Sequence, residues 1–110
     1  METIEFLVQG SATEPYRVTF RRNERQFSAF CTCAAGESGQ ICKHRLTILA
    51  GVSEGVTSAN IDQVSTVASW LPGSDVEAAM QEVNRAEAEL ERAKKLLSTA
   101  KKRVAAVMRA

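Results

Sequence analysis

The sequence predicts an α+β protein: a small three-stranded antiparallel sheet and a short helix gathered around a tight group of cysteines and a histidine, then a long C-terminal helix. Three observations predict it. Apolar and polar residues alternate with a period of two through residues 16–21 and, Leu7 apart, through 3–9, the signature of half-buried strands, and residues 26–31 read as a third strand. All 3 cysteines and the 1 histidine fall between Cys31 and His44. Beyond Pro72-Gly73 neither glycine nor proline interrupts the chain to Ala110, and apolar residues recur there at spacings of three and four.

In the first strand Ile4, Phe6 and Val8 share one face, with Thr3, Glu5 and Gln9 opposite. Residues 10–15, from Gly10 to Pro15, make a turn. Tyr16, Val18 and Phe20 alternate with Arg17, Thr19 and Arg21, so the second strand carries a basic outer face. Residues 22–25 close a hairpin without an Asn-Gly signal to fix the turn type. Residues 26–31 form the third strand, which ends at the first cysteine. Residues 34–41, containing Gly36 and Gly39, read as a flexible loop. A short helix begins near Cys42, with Leu46, Ile48, Leu49 and Ala50 as apolar positions and Gly51 as its stop. Residues 52–58 read as a small-residue linker. A second helix, capped by Ser58 or Asn60, shows Ile61, Val64, Ala68 and Leu71 on one face and forms a lid over the sheet with Trp70 as its largest apolar group. Ser74-Asp75-Val76-Glu77 has the form of a capping box, placing the start of the last helix at Ser74. The expected division is 1–55, 56–73 and 74–110.

The chemistry lies in Cys31-Thr32-Cys33 and, after eight residues, Cys42-Lys43-His44. Three thiolates and one imidazole, with a loop long enough to fold back, are what a tetrahedral zinc ion requires. At a strand end, Cys31 and Cys33 point to the same side while Thr32 points away. On a helix, positions two apart differ in direction by about 200°, so Cys42 must lie at or before the helix start if His44 is to share its metal. A metal at the start of that helix would gain from the helix dipole. Four protein ligands close the tetrahedron and leave no position for water or substrate, so the ion is expected to be structural rather than catalytic. No other nucleophile, base and orienting group assemble from the remaining residues, and an enzyme is not expected.

With Val76 as position a, the a and d positions of the last helix are Val76, Ala79, Val83, Ala86, Leu90, Ala93, Leu97, Ala100, Val104 and Val107, all apolar. This is a coiled-coil seam. Residues 75–91 hold six acids and one base, whereas 92–110 hold seven bases and no acid, which suits an antiparallel homodimer through 74–110 and also the helix's own dipole. One such register sets Glu82 opposite Arg103 and Glu87 opposite Lys101, whereas a parallel pair brings Glu82 toward Glu87.

The residues Tyr16-Arg17-Val18, Phe27-Ser28, Cys31-Thr32-Cys33 and Cys42-Lys43-His44-Arg45-Leu46 together resemble the SWIM-type zinc finger, with its C-x-C, C-x-H signature, over roughly residues 4–51. The resemblance implies that Cys31, Cys33, Cys42 and His44 ligate one zinc ion in a ββα arrangement. It also implies a module for DNA binding or protein–protein contact, of the kind that accompanies ATPases, transposase-like proteins and recombination factors. Ala34 departs from the proline that many members carry after the second cysteine, a change that bears on loop rigidity rather than on ligation.

The net charge of +1 gives no global sign of a nucleic-acid or membrane partner. The acidic N-terminus has no signal-peptide pattern, no apolar run is long enough to span a bilayer, and no small-molecule substrate is implied, so a cytoplasmic setting is expected. Two functions are carried forward. The first is DNA binding through a basic patch of Arg17, Arg21, Arg22, Arg25, Lys43 and Arg45. The second is a protein–protein adaptor in which the finger docks a partner and the coiled coil dimerises it.

Overall fold

The computed structural model describes residues 1–24 and 26–110. Strands β1 (Glu2–Val8), β2 (Tyr16–Asn23) and β3 (Gln26–Cys31) form one antiparallel sheet in the order β1-β2-β3. β2 runs through Arg22 to Asn23, so Arg22 is a strand residue rather than part of the turn, and Glu24 takes the left-handed conformation at φ 60°. The alternation places Ile4, Phe6, Val8, Val18, Phe20, Phe27 and Cys31 in the core. The opposite face carries Glu5, Arg17, Arg21 and Phe30, all exposed.

Two further elements follow the sheet. Helix α1 (Ala34–Glu37) is one turn, in the segment expected to be a flexible loop, and α2 (Lys43–Leu49) supplies Ile48 and Leu49 to the core. Gly36 is what permits α1: a Cβ there would lie 2.3 Å from the backbone oxygen of Cys31, so only glycine lets the turn pack against the end of β3.

The segment after α2 is more than a linker. Val56 bridges Val8, Gln9 donates its backbone N–H to Gly55 (2.8 Å), and the Thr57 N–H bonds Leu7 O (2.8 Å). Ser58 Oγ accepts from Leu7 N at 3.1 Å, and Asn60 Nδ2 donates to Glu5 O at 2.8 Å. The strap thus satisfies backbone groups along the free edge of β1, which would otherwise invite pairing with another chain. A 3₁₀ turn (Ile61–Gln63) leads into α3 (Val64–Ala68). The 3₁₀ turn rephases the helix, so the inward residues are Val64, Val67 and Trp70, whereas Ile61, expected on that face, is exposed. Trp70 stacks edge-on against Phe27 with centroids 6.5 Å apart.

Helix α4 (Asp75–Arg109) starts at Ser74, whose buried Oγ accepts from Glu77 N at 3.1 Å. Glu77 returns a bond to Gly73 N, also at 3.1 Å, one residue earlier than a standard capping box. The chain divides into two compact units, Met1–Glu77 and Ala78–Ala110. The strap and α3 therefore belong to the same unit as the sheet, and Val76 packs against that unit's core. The second unit is helical throughout, apart from its last residue, and none of its residues is buried. Among the described residues no helix is long and apolar enough to cross a membrane.

Candidate metal centre

Cys31 closes β3, Cys33 caps α1, Cys42 caps α2 and His44 lies in the first turn of α2. Cys42 has extended backbone angles (φ −133°, ψ 150°), which lets it point back to the side chain two residues on, as the C-x-H spacing demands. One ligand atom from each of the four residues lies within 4.8 Å of all the others. Cys31 Sγ and His44 Nδ1 are 3.8 Å apart, so Nδ1 is the nitrogen turned to the cluster. A tetrahedral zinc with ordinary bond lengths separates sulfur from sulfur by about 3.8 Å and sulfur from nitrogen by about 3.6 Å. The donor set fits that ion with a contraction of about 1 Å at its widest separation. All three cysteines are buried and free of disulfides.

Three of the four ligands are oriented from behind. Cys33 Sγ accepts from Gly36 N at 3.3 Å, the bond that caps α1. Arg45 Nε donates to Cys42 Sγ at 3.1 Å, while Nη1 donates to Ala29 O at 3.0 Å and Nη2 to Gln40 O. One guanidinium thus ties a ligand to β3 and to the loop before α2. The imidazole packs on the Tyr16 ring at 4.9 Å between centroids. A Cβ at Gly10 would come within 2.4 Å of that tyrosine ring and 3.1 Å of His44 Nε2, so the Gly10 backbone fits closely against the histidine's outer edge.

Three thiolates on one dication leave a net negative charge, and Arg45 and the Gly36 N–H compensate it. The seven-residue α2 is short for any large dipole contribution. Burial pushes the Cys31 thiol up to about 12, so without metal it holds its proton at neutral pH. Burial also acts to raise Cys42, but the backbone and guanidinium bonds from Arg45 outweigh it and hold that thiol below its ordinary value. Burial, then the neighbouring Lys43 charge, lower His44 and favour the neutral ring a metal needs.

The expected basic patch is distributed differently. Arg45 is directed into the finger by the three bonds above. Arg22 lies on the inner side of β2, its guanidinium carbon 5.7 Å from the Trp70 ring centroid, and its Nε donates to Glu24 O at 3.0 Å. Arg17 pairs with Glu5 at 3.2 Å on the outer face. Arg21 and Lys43 are exposed, and Arg25 lies outside the described residues. Sequence reasoning passed over Phe30. It stands on the outer face of β3 at 58 % exposure, directly across from Thr19 and diagonal to Arg17 and Arg21. Its place on the outer face follows from the same period-two count that puts Phe27 and Cys31 inside.

Residues 6–50 match the family model described as the SWIM zinc finger. No curated protein and no solved structure matches the chain. Residues 6–50 thus match the SWIM zinc finger in sequence, ligand order and cluster geometry, and their four donors are consistent with one structural zinc ion.

Proposed function

We propose that the zinc finger is a protein-docking module in which Phe30 is the anchor and Arg21 the flanking charge. The observation that carries this is Phe30, a large aromatic exposed on the outer face of a sheet whose β1 edge is bonded to the strap. Aromatic and arginine side chains on a preorganised surface are the usual centres of protein interfaces. The partner's chemistry follows: an apolar side chain to cover Phe30 beside a carboxylate for Arg21.

Charge weighs against the DNA reading. Residues 1–77 carry six Lys or Arg against nine Asp or Glu, so the unit holding the finger is net acidic. Nucleic-acid affinity comes chiefly from phosphate neutralisation, and three of the five candidate cations among the described residues have protein partners. The four-ligand metal set leaves no open position for substrate chemistry, in keeping with a binding role.

A photocrosslinking residue in place of Phe30, with a second at Thr13 as control, tests the proposal in the native cell. The reading expects a protein adduct at position 30 that survives nuclease and is lost on Arg21→Glu. A nucleic-acid adduct would support the DNA reading instead, as would binding to single- or double-stranded oligonucleotides that falls steeply with salt.

A further inference from the structure

We propose that α4 associates with a second copy of this chain as an antiparallel pair in which each large a residue packs against an alanine at d. The helix is 35 residues, roughly 50 Å long, and presents Val83, Leu90, Leu97, Val104 and Val107 at 44–66 % exposure along one stripe. Val76, the first a residue, already packs in the finger unit, so the seam open to a partner runs from Ala79 to Val107.

Side-chain volumes select the orientation. In a parallel pair a meets a and d meets d, so Leu–Leu and Val–Val layers alternate with Ala–Ala layers that leave voids. In an antiparallel pair a meets d. Val83 then faces Ala100, Leu90 faces Ala93, Leu97 faces Ala86 and Val104 faces Ala79 of the second copy, so every one of these layers pairs one large residue with one small one. Uniform layers let the helices approach closely along the whole seam.

Charge selects the same arrangement independently. In this register Glu82 lies opposite Arg103 and Glu87 opposite Lys94 of the second copy, the latter in place of the Lys101 that a shifted register would supply. By symmetry each attraction occurs twice. The parallel pair instead sets Glu82 against Glu87, also twice, and only the Glu89–Lys94 contacts offset it. An unrelated acidic or basic helix would not complement both halves of α4, whereas a second copy reversed end to end does.

Sedimentation equilibrium on the zinc-loaded full chain from 1 to 100 µM tests this. A dimer is expected, and Leu90→Lys should yield a monomer that keeps its zinc and its Trp70 emission. Glu82→Lys reads the orientation. In the antiparallel pair it places Lys against Arg103 and should weaken the dimer about five- to thirty-fold, with Arg103→Glu on the same chain restoring it. In a parallel pair it removes a repulsion and tightens the dimer. A monomer at 100 µM, a larger oligomer, or a tighter Glu82→Lys dimer would each overturn the proposal. Phe30→Ala should leave the association unchanged, so failure here is separable from failure of the docking role.

Discussion

Replacing Arg45 by alanine should weaken zinc binding 10- to 100-fold without removing any ligand. The side chain makes three bonds, to Cys42 Sγ, Ala29 O and Gln40 O. A hydrogen bond to a charged acceptor contributes about 1.5–3 kcal/mol, and a neutral one about 1 kcal/mol. Water can take over at Gln40, which is exposed, but much less readily at Cys42, which is 6 % exposed. Releasing the long side chain returns up to roughly 2 kcal/mol of rotamer entropy, which offsets part of the loss. The balance is about 1.5–3 kcal/mol, and at about 1.4 kcal/mol per decade this gives the stated range. Competition against a chromophoric chelator measures it directly. The proton balance supplies a second readout. Arg45 holds the Cys42 thiol low against the opposing effect of burial, so its loss raises the proton affinity of that sulfur. Protons and zinc compete for the thiolate, and the midpoint of acid-induced zinc release must move to higher pH. Arg45→Lys keeps the charge but not the three-way geometry and should resemble alanine more than wild type. Affinity within threefold of wild type, with an unmoved release midpoint, would refute the clamp.

Other consequences follow from neighbouring contacts. Gly36→Ala forces a carbon into the backbone of Cys31 and should displace Cys33, the cap of α1, costing at least about 3 kcal/mol in thermal or denaturant unfolding and lowering zinc content. Trp70→Ala removes the 4 %-exposed lid residue that meets Phe27 and Arg22, and urea unfolding should show a loss of about 3–5 kcal/mol; less than 1 kcal/mol would mean that α3 does not seal the core. Apparent zinc affinity should rise between pH 6 and 8 by up to about tenfold per unit for each proton released, because Cys31, at about 12 without metal, must lose its proton on binding. The contribution is present at high pH and lost as pH falls; an affinity that is flat across the range would contradict it.

Which parts were legible in the sequence depends on what carries the information. The strands, the cluster and the helix start at Ser74 are written in side-chain periodicity and spacing, and C-x-H alone forces Cys42 out of the helix. The strap along β1 is made largely by backbone groups, Gln9 N, Gly55 O, Thr57 N and Leu7 O, which any small polar segment could supply. The lid's inward face is legible at Val64, Leu71 and Trp70, but the 3₁₀ turn at Ile61–Gln63 takes Ile61 off that face and leaves it exposed. Arg45 looked like a phosphate ligand because its partners lie at Ala29, Gln40 and Cys42, contacts that only the folded chain brings together. Gly36 did signal a constraint, but flexibility was the wrong reading of it: the glycine permits close approach to Cys31 rather than motion.

The structural role of the metal is tested most directly by following the single tryptophan. Trp70 is buried in the finger unit and reports its folding separately from the helical signal of α4. The zinc-loaded chain should contain one zinc per molecule and show blue-shifted emission with a cooperative melt. After treatment with a strong chelator the emission should move to the red and that transition should vanish while helical circular dichroism persists. A metal-free chain that keeps its emission and melts at the same temperature would contradict the structural role of zinc.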